Sequence, residues 1–196
     1  MENTATATTQ PRRRGRLSVR MLCEGAIMVA IAMILSFLPL YKFPHGGSID
    51  LAMIPVLFFA IRWGFGPGLL AGFVFGLLQI ITEGAVAWGW QSILLDFLVA
   101  YTPLGLAGLF KGKKWGVFAG TVLGVFARFI VHFISGITIY AITVPTAVFN
   151  VTYTNPWMYS AAYNGAYLLP DMVLCLVVFA LLYKPMKRFF LGSDIK

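Results

Sequence analysis

The stretch WGVFAGTVLGVFARFIVHFISGIT, residues 115–138, is long and apolar enough to cross a lipid bilayer as a single helix. It nevertheless contains Arg128 and His132, which lie four residues apart and therefore on one face of that helix. Ionisable side chains at membrane depth are energetically costly and are usually functional. The stretch therefore predicts a transmembrane helix whose polar face has a specific role.

The composition of the whole chain indicates the same class of protein. Of its 196 residues, 59% are hydrophobic and only 11% are charged, which is more apolar surface than a soluble domain of this length can bury. Cys23 and Cys175 lie in apolar runs, which argues against a disulfide framework or a metal site. The sequence has no phosphate-binding loop, dinucleotide-binding motif or zinc-protease motif. We therefore predict a non-catalytic membrane protein without a cofactor or metal, which does not itself hydrolyse ATP.

The hydropathy pattern predicts an all-α membrane protein with six transmembrane helices, because a bilayer core needs roughly 20 apolar residues per helix. The second span is short and contains Pro55, so we expect it to be kinked, tilted or shielded by its neighbours. One transmembrane domain, 19–190, then lies between a disordered basic cytoplasmic tail, 1–18, and a short cytoplasmic tail, 191–196. The predicted spans are 21–40, 49–63, 66–84, 91–110, 115–138 and 159–183.

The basic residues predict the orientation of this bundle. If the N-terminus is cytoplasmic, Lys42 is the one basic residue of the outer loops. The inner side then has the arginines of the N-terminal tail, followed by Arg62, Lys111, Lys113, Lys114, Lys184, Lys187, Arg188 and Lys196. This asymmetry follows the positive-inside rule and places both termini in the cytoplasm. The excess positive charge therefore indicates topology and attraction to anionic lipid, and we do not expect nucleic-acid binding.

Three polar side chains are predicted at one depth in the bundle. Asp96, His132 and Asn164 lie in the fourth, fifth and sixth spans, about 7–9 Å below the outer boundary at roughly 1.5 Å per residue. They could line a shared pocket that opens to the outside, or they could bond to one another and hold the helices together. The side chains alone do not decide between these two interpretations.

The outer loops favour the pocket. The first, YKFPHGGSID (residues 41–50), contains a turn suited to close backbone approach or to lid movement. Aromatic side chains cluster in or just below the third outer loop, although part of this cluster fits an ordinary interfacial belt. They are Tyr140, Tyr153, Trp157, Tyr159 and Tyr163. Aromatic rings above one carboxylate would suit a flat cationic ligand, with His132 and Asn164 supplying directional hydrogen bonds.

Two further patterns predict helix packing. We expect Arg128 to pair with Asp171 or Asp96 and to have a structural role, because an unpaired buried charge is costly. Small residues also recur at a spacing of four, which lets helix backbones approach closely. This spacing alone favours packing within the bundle for Gly68, Gly72, Gly76, Gly120, Gly124, Ala26 and Ala30. Gln79 and Glu83, at the outer end of the third span, receive no assignment.

From about Ser18 to Arg188 the chain resembles the thiamine-specific substrate-binding subunit, or S component, of energy-coupling factor transporters, a family of prokaryotic vitamin importers. Several stretches match the family in the same order, and together they make the resemblance specific. They are SVRMLCEGAIMVAIA, PHGGSIDLAMIP, AIRWGFGPGLLAG, QSILLDFLVAYTPLGLAGLF, HFISG and NPWMYSAAYNGAYLLP.

This resemblance implies a six-helix protein of the prokaryotic cell membrane that captures thiamine from outside with high affinity. The family's acidic pocket residue corresponds to Asp96, whose reach is one methylene shorter than that of the glutamate in some members. The other implied contacts are His132, Tyr140, Trp157, Tyr159 and Asn164. In the first loop, His45 and Ser48 are candidates.

The resemblance also implies protein partners. Ala26 and Ala30 match an Ala-x-x-x-Ala motif on the first helix that docks on a transmembrane coupling subunit, which works with two ATP-binding subunits. Three alternatives stay open: an S component for another vitamin or precursor, an autonomous small channel, and an intramembrane enzyme that uses His132 and Asp96. A channel would need polar residues along a whole helical face, and an enzyme would need more than one histidine and one nearby acid.

Overall fold

The computed structural model describes residues 18–43, 46–83, 89–143, 147–148 and 151–195, without the side chains of 139–143 and 147–148. Two short antiparallel hairpins lie between helices: β1 (Tyr41–Lys42) pairs with β2 (Ser48–Ile49), and β3 (Ala147–Val148) pairs with β4 (Val151–Thr152). We call the end of the bundle at β1 and β2 the hairpin end. The helices are α1 (Val19–Ser36), α2 (Met53–Trp63), α3 (Phe65–Glu83), α4 (Trp90–Phe110), α5 (Gly116–Thr143) and α6 (Pro156–Phe190).

Among the described residues, five helices are long and apolar enough to cross a membrane, and α2 is not one of them. Its 11 residues extend about 16 Å, roughly half of a 30 Å hydrocarbon core. Most of α2 is buried, including Met53, Leu57 and Ala60, so its neighbours shield it from lipid. The predicted all-α membrane fold is therefore confirmed. Six membrane crossings and the orientation of the termini stay predictions.

Helix α4 is irregular, which the hydropathy pattern does not predict. One α-helical turn (Trp90–Ser92) leads into a π-helical segment (Ile93–Val99) and then a 3-10 segment (Thr102–Phe110). The Ala100 amide donates to the carbonyl oxygen of Leu95, five residues earlier, as the wider π-helical turn requires. Asp96 lies within the π-helical segment. Segments of this kind occur frequently at functional sites.

Helices α3 and α4 pack with their backbones in contact. A Cβ atom on Gly76 would lie 2.6 Å from the carbonyl oxygen of Phe97, and one on Gly72 would collide with the carbonyl oxygen of Tyr101. This confirms close packing within the bundle for these two glycines. Ala26 is exposed on α1, as is Ala30, so neither side chain packs inside the bundle.

At the end of the bundle opposite the hairpin end, an ion-pair network around the buried Arg62 joins α1, α2 and the chain after α6. The guanidinium of Arg62 binds Glu24 and Asp194, each at 2.7 Å. Hydrogen bonds from Arg62 hold the pKa of the Asp194 carboxyl well below its usual range. The Arg62–Asp194 pair therefore stays ionised at neutral pH. Asp194 thereby anchors the described residues 191–195 to the bundle, within the segment that was predicted as a tail.

The close approach of α3 and α4 makes the glycines of α3 sensitive to substitution. We expect Gly72→Ala to lower the free energy of unfolding by about 1–3 kcal/mol, because the new methyl group meets a backbone carbonyl that cannot rotate away. Gly66→Ala is the matched control, since apart from the adjacent backbone of its own helix no described atom lies within 4 Å of its Cβ position. Thermal unfolding in detergent measures both variants. Equal melting temperatures would contradict the packing described here.

Candidate ligand-binding site

A polar cavity lies beneath the β1–β2 hairpin, between the helices of the bundle. Its walls include three carboxylates, Asp50, Glu83 and Asp96, together with Arg128 and His132. Its volume is about 60 Å³, enough for a few water molecules and well below the roughly 300–1,000 Å³ of small-molecule sites. A vitamin-sized ligand therefore needs the walls of this cavity to move apart.

Asp96 and His132 are in hydrogen-bond contact across helices α4 and α5. The Nδ1 atom of His132 lies 3.1 Å from Oδ1 of Asp96. The second carboxylate oxygen accepts a hydrogen bond of 2.6 Å from the Ser92 hydroxyl, one turn earlier in α4. Both predicted residues line the cavity, so the carboxylate can face a ligand while its own donors hold it in place.

Arg128 also lines the cavity, but it does not form the predicted ion pair. Its Nε atom donates to Nε2 of His132 at 3.3 Å, and its guanidinium lies 4.1 Å from the centre of the Tyr101 ring. In the part of the chain that the structure describes, no carboxylate lies within ion-pair distance of it. Asp171 instead accepts the Asp50 backbone amide at 3.0 Å, and Asp96 is held by His132 and Ser92. The cation is stabilised by the face of an aromatic ring.

Asn164 connects α5 and α6 and lies behind the cavity wall. Its amide nitrogen donates to the backbone oxygens of His132 at 3.1 Å and Ser160 at 2.9 Å. Its amide oxygen accepts from the Tyr167 hydroxyl at 2.7 Å. Its hydrogen-bonding groups are thus used within the protein, as the alternative of interhelical bonding supposed, and Tyr167 lines the cavity in its place.

The predicted aromatic residues separate into two environments. Tyr159 is buried in a cluster with Phe43, Tyr163 and Tyr167, and its ring is stacked on that of Tyr163 at 5.9 Å between centroids. This cluster underlies the β1–β2 hairpin. Trp157 is 59% exposed and contacts Phe133, so it does not line the cavity in this conformation.

The remaining candidates are in the first loop and near the end of α5. Ser48 lines the cavity, where its hydroxyl donates to Asp50 at 2.7 Å. His45 lies outside the described residues. Tyr140 lies in α5, and its side chain is outside the described part of the chain.

Several wall residues were missed from the sequence, and two of them, Tyr101 and Tyr167, were missed for different reasons. Tyr167 follows Asn164 by three positions, which places both on one face of α6, so this spacing could have identified it. Tyr101 follows Asp96 by five positions, which a regular α-helix would not align on one face. The π-helical segment aligns them, and no pattern in the sequence indicates that segment.

An all-α membrane bundle with a polar cavity between its helices defines a helical membrane protein with a candidate site for a small polar molecule. The chain belongs to the family described as thiamine transporter protein (Thia_YuaJ), whose model matches residues 22–191. This confirms the family predicted from the sequence and identifies a transport protein, not an enzyme.

Individual relatives agree with this assignment. The chain is 33% identical to the thiamine transporter ThiT of Bacillus subtilis (strain 168), over 88% of this chain and 94% of the relative. It is 32% identical to the thiamine transporter ThiT of Lacticaseibacillus paracasei, over 89% of this chain and 92% of that protein. A solved structure of ThiT from Listeria monocytogenes superposes with a TM-score of 0.77 at 25% identity, covering 88% of this chain and 97% of that one. The chain is therefore a multi-pass membrane protein of a prokaryote.

The bonds of Asn164 predict a stability effect that does not require a ligand. We expect Asn164→Ala to lower the free energy of unfolding by roughly 1–3 kcal/mol, because it leaves the Tyr167 hydroxyl and the His132 carbonyl buried without this partner. Gln91→Ala, at an exposed position, is the control. Thermal unfolding in detergent compares the two. If Asn164→Ala melts with the control, these bonds do not hold α5 to α6.

Proposed function

We propose that the chain is the high-affinity thiamine-binding subunit of an energy-coupling factor importer, which captures thiamine from outside the cell. Its family membership and its two ThiT relatives support this substrate. The observation that carries the proposal is the Asp96 carboxylate, which lines the cavity. Among the described residues, no cationic side chain pairs with it except, if protonated, His132.

Thiamine combines a permanently cationic thiazolium ring with an aminopyrimidine, and both suit the charge of this cavity. Asp50, Glu83 and Asp96 supply three carboxylates against the single arginine Arg128 in the cavity wall. Lys42 lies 3.5 Å from Glu83, whereas no described lysine or arginine lies within ion-pair distance of Asp50 or Asp96. Asp96 attracts the cation or accepts from the amino group, while His132 holds the carboxylate in position through its Nδ1 atom.

The small cavity volume implies that this conformation is closed and that ligand entry requires movement at the hairpin end. A Cβ atom on Gly47 would lie 2.6 Å from the Tyr167 ring, so the hairpin packs directly on the wall of the site. Displacing it would expose the cavity and the aromatic cluster below the hairpin. The proposed ligand contacts in the opened site are Asp96, His132, Tyr140, Trp157, Tyr159, Asn164, His45 and Ser48.

The docking surface that we propose for the coupling subunit includes Ala26 and Ala30. Both line an apolar groove of about 370 Å³ between α1 and α3, together with Gly25, Pro67 and Leu70. Small side chains let a partner helix approach the backbone closely, and a groove of this kind suits an amphipathic helix. Two separate ATP-binding subunits would drive transport. The proposal includes six membrane crossings with both termini in the cytoplasm.

The alternatives make different predictions about the cavity. An S component for another vitamin would keep the fold and the docking surface but would not bind thiamine tightly. A channel would need a polar path through the bundle, whereas the described polar cavity lies at the hairpin end. An enzyme would need a reactive group, whereas both ring nitrogens of His132 are engaged here, Nδ1 by Asp96 and Nε2 by Arg128.

The role of the Asp96 charge is tested by measuring thiamine binding to the purified protein, with calorimetry and tryptophan fluorescence as the readouts. We expect Asp96→Asn to weaken binding about tenfold to a hundredfold, because a charge-assisted bond is lost. Asp96→Glu is the matched control, because it keeps the charge and should keep most of the affinity. Wild-type affinity in Asp96→Asn would remove this carboxylate from the site. Tight binding of another vitamin in place of thiamine would overturn the substrate.

The docking surface is tested separately from ligand binding. We expect Ala26→Trp to abolish thiamine uptake in cells that contain the coupling complex, while the purified variant binds thiamine normally, because the indole would fill the groove. Ile27→Trp is the control, since Ile27 is exposed on the same helix but does not line the groove. Uptake by Ala26→Trp at the level of Ile27→Trp would show that the partner binds elsewhere.

A further inference from the structure

We propose that Arg128 is a positioning residue that holds His132 as a neutral imidazole with its proton on Nδ1, so that Asp96 keeps a full negative charge for a cationic ligand. This inference rests on the proposed function, because it concerns the same site. It replaces the structural ion pair that the sequence predicted for Arg128.

The hydrogen-bond directions determine the form of the ring. A guanidinium has donors and no acceptor, so the contact of 3.3 Å from Nε of Arg128 requires a lone pair on Nε2 of His132. The proton of the neutral ring must then be on Nδ1, which lies 3.1 Å from Oδ1 of Asp96. A carboxylate is an acceptor, so the same tautomer satisfies both neighbours.

A second proton on His132 would have an unfavourable position. It would place an N–H group on Nε2 against the N–H of Arg128, and a cation beside a cation, where both side chains are buried. It would also convert the Asp96–His132 contact into a neutral ion pair. The carboxylate would then attract a cationic ligand far less strongly.

The other ionisable groups around His132 do not replace Arg128 in this role. Asp96 of α4 and Arg128 of α5 are the charged groups in direct contact with its ring among the described residues. The Tyr167 ring of α6 packs edge-on against it, with 6.0 Å between centroids. Further away around Arg128 and the cavity lie Asp50, Glu83, Tyr101 and Asp171.

Arg128 is itself held independently of any ligand. Its guanidinium lies over the ring of Tyr101, a residue of α4 that α3 supports through the close contact at Gly72. The cation therefore has a fixed position from which Nε reaches His132. Because no acid pairs with it in the described part of the chain, the arginine orients the histidine without neutralising Asp96.

The first experiment measures thiamine affinity against pH for the wild type and for Arg128→Met, which has no donor and no charge. At about pH 8 we expect Arg128→Met to bind at least as tightly as the wild type, because a positive charge has been removed beside a cation. At about pH 5.5 we expect it to bind about tenfold more weakly relative to the wild type, because His132 can now take a second proton near the usual histidine pKa. The ratio of the two dissociation constants at each pH removes any titration of thiamine itself.

A purely structural role for Arg128 would weaken binding by the same factor at every pH, and that result would overturn the proposal. Arg128→Lys keeps a cationic donor and should restore a constant ratio. Arg188→Met, near the end of α6 and away from the cavity, should match the wild type throughout. Should Arg128→Met fail to fold, Arg128→Leu, which also has no donor and no charge, serves in the same comparison.

The second experiment observes the ring directly. The chain has two histidines, so His45→Gln leaves His132 as the single histidine, and nitrogen-15 NMR of labelled histidine then reports its protonation without thiamine. We expect a proton on Nδ1, an unprotonated Nε2 and no titration between about pH 8 and pH 5.5, although free histidine titrates in this interval. A proton on Nε2, or an imidazolium at neutral pH, would overturn the proposal.

The two experiments separate this inference from the proposed function. A protein that shows the expected tautomer but does not bind thiamine refutes the substrate and leaves the role of Arg128 standing. A protein that binds thiamine tightly but shows the other tautomer refutes the role of Arg128 alone.

Discussion

The carboxylate of Asp96, placed inside an apolar bundle, is the constraint on which the rest of the site depends. A buried charge is tolerated when donors surround it, and here Ser92 and His132 supply them. His132 is on another helix, so the same bond aligns α4 with α5. A closed ring of contacts results, since Asp96 bonds to His132, His132 to Arg128, and Arg128 lies over Tyr101, which is again in α4. The π-helical turn makes this ring of contacts possible. It brings Asp96 and Tyr101, five positions apart in α4, onto one face, where they meet Arg128 and His132, which are four positions apart in α5.

Hydropathy predicts this fold well where a helix faces lipid and poorly where it does not. The five long helices are apolar over membrane-spanning lengths, and each corresponds to a predicted span. Helix α2 was predicted from residue 49 but begins at Met53, because a segment surrounded by protein has no need to match the bilayer thickness. The same limit applies to small-residue spacing. Gly72 meets the backbone of α4, whereas Ala26 is exposed, since the spacing predicts a close approach but not the neighbour that makes it.

The sequence predicted that the polar residues of the candidate site lie close together, but not how they are connected. Counting residues into each span placed Asp96, His132 and Asn164 at one level, and the structure joins all three through His132: Asp96 at its ring and Asn164 at its carbonyl. The pairing of Arg128 was predicted wrongly, because the cost of a buried charge says that a partner is needed but not that the partner is an anion. The face of an aromatic ring also stabilises a buried cation. Tyr101 reaches Arg128 only through the irregular geometry of α4. The exposed position of Trp157 is equally invisible in the sequence, since it depends on how the first turn of α6 packs against α5.

Arg62 and Arg128 are buried arginines with different surroundings. Their comparison shows why the charges of a cation-binding site cannot be paired in the way that they are in a structural network. Arg62 is bound by Glu24 and Asp194, so its charge is neutralised and the network holds together α1, α2 and the chain after α6. The same arrangement around Arg128 would neutralise Asp96 and leave nothing to attract a cationic ligand. This neutralisation is avoided because Arg128 lies on an aromatic ring and is separated from Asp96 by a neutral imidazole. The imidazole is oriented by Arg128 and in turn orients Asp96, but it carries no charge that would neutralise the carboxylate. The arginine then fixes the geometry of the carboxylate while the negative charge remains directed into the cavity.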